Sequence, residues 1–294
     1  MPELPDIEVY VETLALQLAG RTLARVCVAN PFLVRTFDPP LAALGGKRLT
    51  GTARIGKRIV LAFTDDLFVV IHLMVAGRLR WLEPGAKAPG RIALATFEFD
   101  NGNLVLTEAG SKRRASVHLV RGAAALAQFN MGGLEVFGAS LKEFAARLRV
   151  ENHTLKRALT DPHLFSGIGN AYSDEILHRA RLSPLAMSAK LDAAEIACLH
   201  AATLAVLAEW SDRLRADAAG ALPEKVTAFR PEMAVHGKFG KPCPVCGSAV
   251  QRIVYADNET NYCARCQTGG RVLADRALSR LLKASWPRSI DELG

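Results

Sequence analysis

The chain opens on a helical pattern. Ile7, Val11, Leu14 and Leu18 recur at helical spacing, Pro5 suits a first turn and Gly20 can end the element, so residues 4–19 are predicted to form an amphipathic helix. Pro2 and Glu3 lie immediately ahead of it. From Thr22 to about Val120 the period shortens to β-rich runs, among them Arg58–Phe63, Leu67–Leu73 and Ile92–Phe99, with turn sequences at Asp65-Asp66 and Asp100-Asn101-Gly102. A two-layered β domain flanked by helices is the prediction. Asn130–Gly138 holds glycines and no sustained period, which marks a linker. Beyond it Leu141–Leu148, Leu155–Leu159, Ala171–Arg181 and Asp192–Arg215 carry the helical repeat, and the residues after Gly270 suggest an additional basic helix. The chain is therefore read as a multidomain α+β protein divided at 1–130, 131–224 and 225–294.

Composition excludes several classes. With 294 residues, 50% hydrophobic and 22% charged, the chain can build a real core and is not expected to be disordered. Apolar stretches such as Leu67–Met74 break well before the roughly 20 residues a membrane helix needs. The N-terminus is acidic from its third residue, unlike a secretory signal. The expectation is no membrane partner and a cytoplasmic place of action, at the nucleoid in a bacterium. A net charge of +8 favours a polyanionic partner, and Lys225–Gly294 carries 11 Lys/Arg against 6 Asp/Glu. Charge alone is equally compatible with ordinary solvated surface.

Two local features carry chemistry. Cys243-Pro-Val-Cys246 and Cys263-Ala-Arg-Cys266 stand sixteen residues apart, the spacing of two knuckles that close a tetrahedral four-cysteine zinc site, with two disulfides as the competing arrangement. Cys27 and Cys198 sit alone in apolar runs and are expected in the core. Between two predicted helices, Pro162 stops one and Gly167 and Gly169 precede the next, offering free backbone amides at a helix N-terminus, a geometry suited to phosphate.

The order of four segments adds a further indication: PELPDIE at residues 2–8, GKRIVL at Gly56–Leu61, SGIGNAYSDEIL at Ser166–Leu177, and the terminal CxxC…YCxxCQ finger. Over residues 1–268 the chain resembles the formamidopyrimidine-DNA glycosylase/endonuclease VIII (Fpg/Nei) family of base-excision repair enzymes. The resemblance implies an N-terminal β-sandwich with flanking helices, a helix–two-turn–helix domain and a zinc-finger hairpin. It further implies a monomer that holds damaged DNA in the cleft between its domains, with one structural Zn2+ on Cys243, Cys246, Cys263 and Cys266. The activity implied is excision of oxidised bases with strand cleavage at the resulting abasic site.

The chemistry supplies a reason for Pro2. Once Met1 is removed, Pro2 becomes a secondary amine with a pKa near ~8 against about 10.4 for lysine, so roughly a fifth rather than a thousandth is neutral at pH 7.4. A neutral amine can attack the sugar C1′, and the iminium that forms acidifies C2′ and permits elimination of the flanking phosphates. By the resemblance Glu3 is the general acid/base and Lys57 contacts the lesion and donates a proton. Lys156 and Asn170, with the Gly167 and Gly169 amides between them, match phosphate contacts that set register without reading sequence. The lesion nucleotide would be turned out of the stack, because C1′ is unreachable in a closed duplex.

The pattern also departs from the family. The gap left by a flipped nucleotide is commonly filled by a Met from an HLGMSG-like turn and by Arg and Phe from a DPRRFG-like loop. Here His72-Leu-Met-Val-Ala-Gly77 places Val75 at the Met position, and Arg113 and Arg114 persist while Ala115 stands at the aromatic one. Asn258 occupies the place of a phosphate-gripping Arg, with Arg252 or Arg265 to compensate or the second elimination weakened. These departures leave a second reading, a damaged-DNA or abasic-site binding protein that has kept the scaffold and lost excision.

Overall fold

The predicted first helix forms over Leu4–Leu18 (α1) and buries Ile7, Tyr10, Leu14 and Leu18. Asp6, at its third helical position, turns back to accept the Glu3 N–H at 2.9 Å, the return half of a capping box that fixes where the helix begins. Eight strands follow: β1 (Thr22–Val28), β2 (Lys47–Ile55), β3 (Arg58–Phe63), β4 (Leu67–His72), β5 (Gly77–Leu82), β6 (Ala93–Phe99), β7 (Gly102–Glu108) and β8 (Ser116–Arg121), with a short helix α2 (Ala123–Ala127) after them. Their order is β5-β7-β6-β1-β2-β3-β4-β8, antiparallel throughout. Strands β1 and β2 pair only at Thr22–Arg48 and Leu23–Lys47, so the sheet folds there into two layers. Inward residues of both layers, such as Leu61 and Ile71 from one and Phe97 and Leu106 from the other, share a single core with α1. This is the expected β-sandwich.

In the computed structural model residues 1–110, 112–223, 226, 229–255, 258–273 and 288–292 are described. They fall into two units, Met1–Met131 with Trp210–Thr227, and Gly132–Glu209 with Ala228–Gly294. The break after Met131 coincides with the predicted linker. The additional helix expected after Gly270 lies largely outside the described residues, as does position 225, the predicted start of the finger.

The second unit contains α3 (Leu141–Leu148), α4 (Leu155–Thr160), α5 (Asn170–Ala180), the hairpin β9 (Gln251–Tyr255) and β10 (Asn258–Tyr262), and α7 (Ala264–Thr268). Thr154 caps α4 and Ser140 with Glu143 caps α3, which explains why each helix begins where it does. The long helix α6 (Ala193–Ala218) contributes residues to both units. By length and composition it could cross a membrane, with mean hydropathy 1.3 over its most apolar window. Ile196, Leu199, Val206, Leu207 and Trp210 are buried at helical spacing, as in a core helix.

Two cysteines correct the sequence reading. Cys27 is exposed because β1 is bulged between Leu23 and Arg25, which turns its side chain outward to donate to Glu98 Oε1 at 3.3 Å. Cys198 is exposed on α6, with its thiol 3.6 Å from the Ala180 carbonyl.

Candidate active site, phosphate-binding surface and metal centre

In the first unit the N-terminus is packed against charged groups. Pro2 and Glu3 are buried, whereas Met1, the residue ahead of them, is 40% exposed. Burial holds the terminal amine below its ordinary value of 8.0, Glu3 and Asp6 pull it upward, and Arg78 and Lys57 push it down. Lys57 sits at the two-residue tip of the β2–β3 hairpin, where Gly56 takes the left-handed conformation (φ +58°) that the tight turn needs. Arg54 ties this hairpin to α1: its Nε donates to Glu8 Oε1 at 2.7 Å and its Nη1 to the Gly56 carbonyl at 3.2 Å. The clamp links the element carrying Lys57 to the one that follows Pro2 and Glu3. Neither Arg54 nor Arg78 was singled out in the sequence, where each is one more arginine in a strand.

A basic patch continues along β3, β4 and β8. Arg58 stands opposite His72 in the strand register and over the Phe129 ring, and the His118 ring meets the same phenyl edge-on at 5.0 Å. Burial, reinforced by Arg58, Lys57 and His118, pushes His72 down to about 4 from 6.5. His72 is therefore neutral in the folded protein at neutral pH. The unfolded chain takes up that proton at higher pH, so between about pH 6.5 and 4 the unfolded state binds more protons and folding loses stability as pH falls. His72→Gln is expected to reduce this loss in urea titrations across the same window. An identical pH dependence in the variant would exclude His72 as its source.

The β4–β5 turn is built tightly. The Gly77 N–H reaches the Leu73 carbonyl at 2.8 Å, and a Cβ at Gly77 would lie 2.3 Å from that oxygen. Met74 takes φ +52° and Val75 projects at the tip, 60% exposed, while Arg78 donates to the Val75 carbonyl at 3.2 Å and to that of Val226. In the next loop the buried Glu108 carboxylate accepts the backbone N–H groups of Arg114 and Ala115. Arg113 and Arg114 remain exposed, Arg113 Nη2 donating to the Arg91 carbonyl at 2.6 Å. Ala115, expected at a projecting aromatic position, is 3% exposed and belongs to the sandwich core.

In the second unit the Gly167–Asn170 turn precedes α5, with Gly167 left-handed (φ +79°) and Gly169 as the N-cap. Lys156, read from the resemblance as a phosphate contact, is turned inward. Its side chain is 6% exposed and its ammonium meets three acceptors, the Asn170 carbonyl (2.6 Å), Ser173 Oγ (2.8 Å) and Asp174 Oδ1 (2.5 Å). All three ammonium protons are thereby used inside the protein, so Lys156 braces the turn. Asn170 Nδ2 donates to the Glu259 carbonyl at 3.0 Å. Asp174 also accepts from His236 Nδ1 (2.7 Å) and the Asn261 N–H (3.1 Å), and Glu175 accepts the N–H groups of Ala234, Val235 and His236. This buried network docks the finger on α5.

The four cysteine sulfurs lie within 4.8 Å of one another, with Cys243 to Cys266 at 3.9 Å and Cys246 to Cys263 at 3.3 Å. Tetrahedral zinc with Zn–S bonds of about 2.3 Å sets sulfurs roughly 3.8 Å apart, so the donor set fits one Zn2+ with no open position. At the hairpin Asn258 is exposed at the start of β10. Arg252 lies over the Phe239 ring at 4.3 Å and pairs with Glu259 at 3.4 Å, and Arg265 pairs with Asp291 at 2.7 Å. Such exposed pairs are weak and yield readily to a phosphate.

The comparisons with known proteins agree with this geometry. The formamidopyrimidine-DNA glycosylase N-terminal domain matches residues 1–117, the corresponding H2TH domain 136–213, and the zinc finger found in FPG and IleRS 240–269. Formamidopyrimidine-DNA glycosylase of Chloroflexus aurantiacus is 32% identical over 279 residues, covering 91% of this chain and 98% of the relative. The chain belongs to the formamidopyrimidine-DNA glycosylase family. The enzyme of that name from Thermus thermophilus is 33% identical over 281 residues, 92% of this chain and all of the relative. Among solved structures, Lactococcus lactis Fpg bound to abasic-site DNA aligns with TM-score 0.80 at 26% identity over 90% of this chain and 99% of that one. This family member thus combines a sandwich headed by Pro2 and Glu3 with a unit in which the glycine turn and the four-cysteine centre share α5.

Proposed function

We propose that the chain is a bifunctional DNA glycosylase and lyase that removes oxidised bases through Pro2. The observation that carries the reading is the N-terminal cluster: Pro2 and Glu3 lie buried at the head of α1, where burial holds the chain's terminal amine below its ordinary value and so favours the neutral, nucleophilic form. Family membership supplies the substrate class, damaged DNA.

The neutral Pro2 nitrogen bonds to C1′ as the glycosidic bond breaks and the base leaves with a proton. Glu3 is suited to protonate the ring oxygen as the sugar opens and the nitrogen lone pair forms the iminium. Loss of a C2′ proton then expels the 3′ phosphate. Phosphates flanking the lesion are assigned to the Gly167–Gly169 amides and Asn170, with Lys156 acting from beneath the turn, and Lys57 is assigned to the lesion as its proton donor. Val75, Arg113 and Arg114 are assigned to the space vacated by the flipped nucleotide. Asn258 lacks the charge for a bidentate phosphate grip, and the exposed heads of Arg265 and Arg252 are assigned to replace it.

The test is borohydride trapping on duplexes carrying a formamidopyrimidine, 8-oxoguanine, an oxidised pyrimidine or an abasic site. A covalent adduct with at least one damaged base, and strand ends dominated by the first elimination product, are expected. Tight binding to all four without adduct or cleavage would instead assign the chain to damaged-DNA binding alone.

A further inference from the structure

Asn170, Asp174 and His178 recur every fourth residue along α5, which places them in one row, and each bonds a different part of the finger. Asn170 and Asp174 hold the hairpin backbone. His178 reaches the metal centre itself, its Nε2 lying 3.2 Å from Cys243 Sγ. Both partners are enclosed, His178 at 6% and Cys243 at 2% exposure. On the other side of the centre Gln267 donates to the Leu182 carbonyl at 2.9 Å and accepts the Cys263 N–H at 2.8 Å. Helix α5 therefore touches Cys243 directly, and the residues just after it reach Cys263 through Gln267.

A cysteine bound to zinc is a thiolate, which accepts hydrogen bonds and has no proton to donate. The contact then has one polarity: the imidazole Nε2–H donates and the sulfur accepts. Four thiolates on one Zn2+ leave two negative charges in a small site, and Cys243, without solvent access, has little water to spread its share. We propose that His178 is a positioning residue of the metal centre, its Nε2–H offsetting the charge on the Cys243 thiolate and fixing the zinc site to the helix that begins at the Gly167–Asn170 turn. Metal retention and the placement of that turn become properties of one helix. A donor of this kind sustains metal affinity by roughly 10–100-fold. The proposal is independent of the excision chemistry, since nothing in it requires Pro2 to react.

The experiment uses the full chain loaded with zinc, and separately with Co2+, in three forms: native, His178→Phe, which keeps a flat ring without the N–H, and His178→Gln, which returns an N–H donor. Zinc release to a chromophoric chelator is expected to be about tenfold or more faster in His178→Phe and within about threefold of native in His178→Gln. In the Co2+ proteins the sulfur-to-metal charge-transfer band should move to longer wavelength in His178→Phe, because an unbonded thiolate gives up its electrons more easily. If His178→Phe takes up no metal while His178→Gln loads normally, the assignment stands. Native release rate and spectrum in His178→Phe, or equal loss in both variants, would reduce His178 to packing and overturn it.

Discussion

A form of the protein carrying extra residues ahead of Met1 is expected to leave borohydride-trapped DNA at no more than roughly one two-hundredth of the native level. That figure is the ratio of neutral fractions at pH 7.4 for an amine of pKa ~8 and a lysine at about 10.4, the remaining candidate nucleophile. In the extended form the Pro2 nitrogen is an amide with no free lone pair, and any new terminal amine is displaced by at least one residue, about 3.8 Å, beyond the roughly 3–3.5 Å approach that attack on C1′ requires. Pro2→Gly, which keeps a terminal amine at the same place once Met1 is cleaved, should still trap, though more slowly. Glu3→Gln should leave trapping at a preformed abasic site less affected than excision of an intact base, because proton transfer to the opening ring is needed most when the base is still attached. Native trapping in the extended form would assign the nucleophile to a lysine, Lys57 first, and would remove the reason for the packed terminus.

How far the sequence could be read follows from how far apart the interacting residues lie. The glycine turn and the two CxxC knuckles were legible because their geometry is carried by neighbours in the chain, and the proposal for Pro2 and Glu3 rests on the same kind of local signal. The strands of the sandwich were legible where a short apolar run stands between turns, as in β3, whereas the facing of Cys27 was misread because a bulge shifts the register of β1. Lys156 was misplaced because its three acceptors come from residues 14 to 18 positions onward, and only the packing of α4 on α5 brings them to its ammonium. Ala115 was read by its position in a motif, whereas the Arg114 and Ala115 N–H groups, both donating to the buried Glu108 carboxylate, draw the loop inward. Arg54, Glu175, His236 and His178 act across long sequence separations, and no local period marks them.

Complete removal of zinc is expected to unfold residues 240–273 and to carry the loss into α5. The apolar clusters available to the finger are small, Val235 with Val250 and two cysteines in one, Ile253, Tyr262, Ala264 and Leu273 in the other. Clusters of that size cannot offset the entropy of ordering some thirty residues, whereas structural zinc contributes an apparent ~10–16 kcal/mol in finger peptides. Once the hairpin departs, Asp174 loses His236 and the Asn261 N–H, and Glu175 loses three backbone donors. Burial already raises the Glu175 pKa against those donors, so their loss leaves a carboxylate that must either protonate or pull water into the helix. Amide exchange should therefore accelerate first over 251–262 and then over 170–180, while the sandwich strands around Ile59–Phe63 keep their protection. DNA affinity at fixed salt should fall by at least about tenfold, because the finger carries part of the positive surface and α5 orders the phosphate turn. Cys263→Ser should reproduce both effects without a chelator. Undiminished protection over 251–262 in metal-free protein would mean that the hairpin stands by its own packing, and the four sulfurs would then need another explanation.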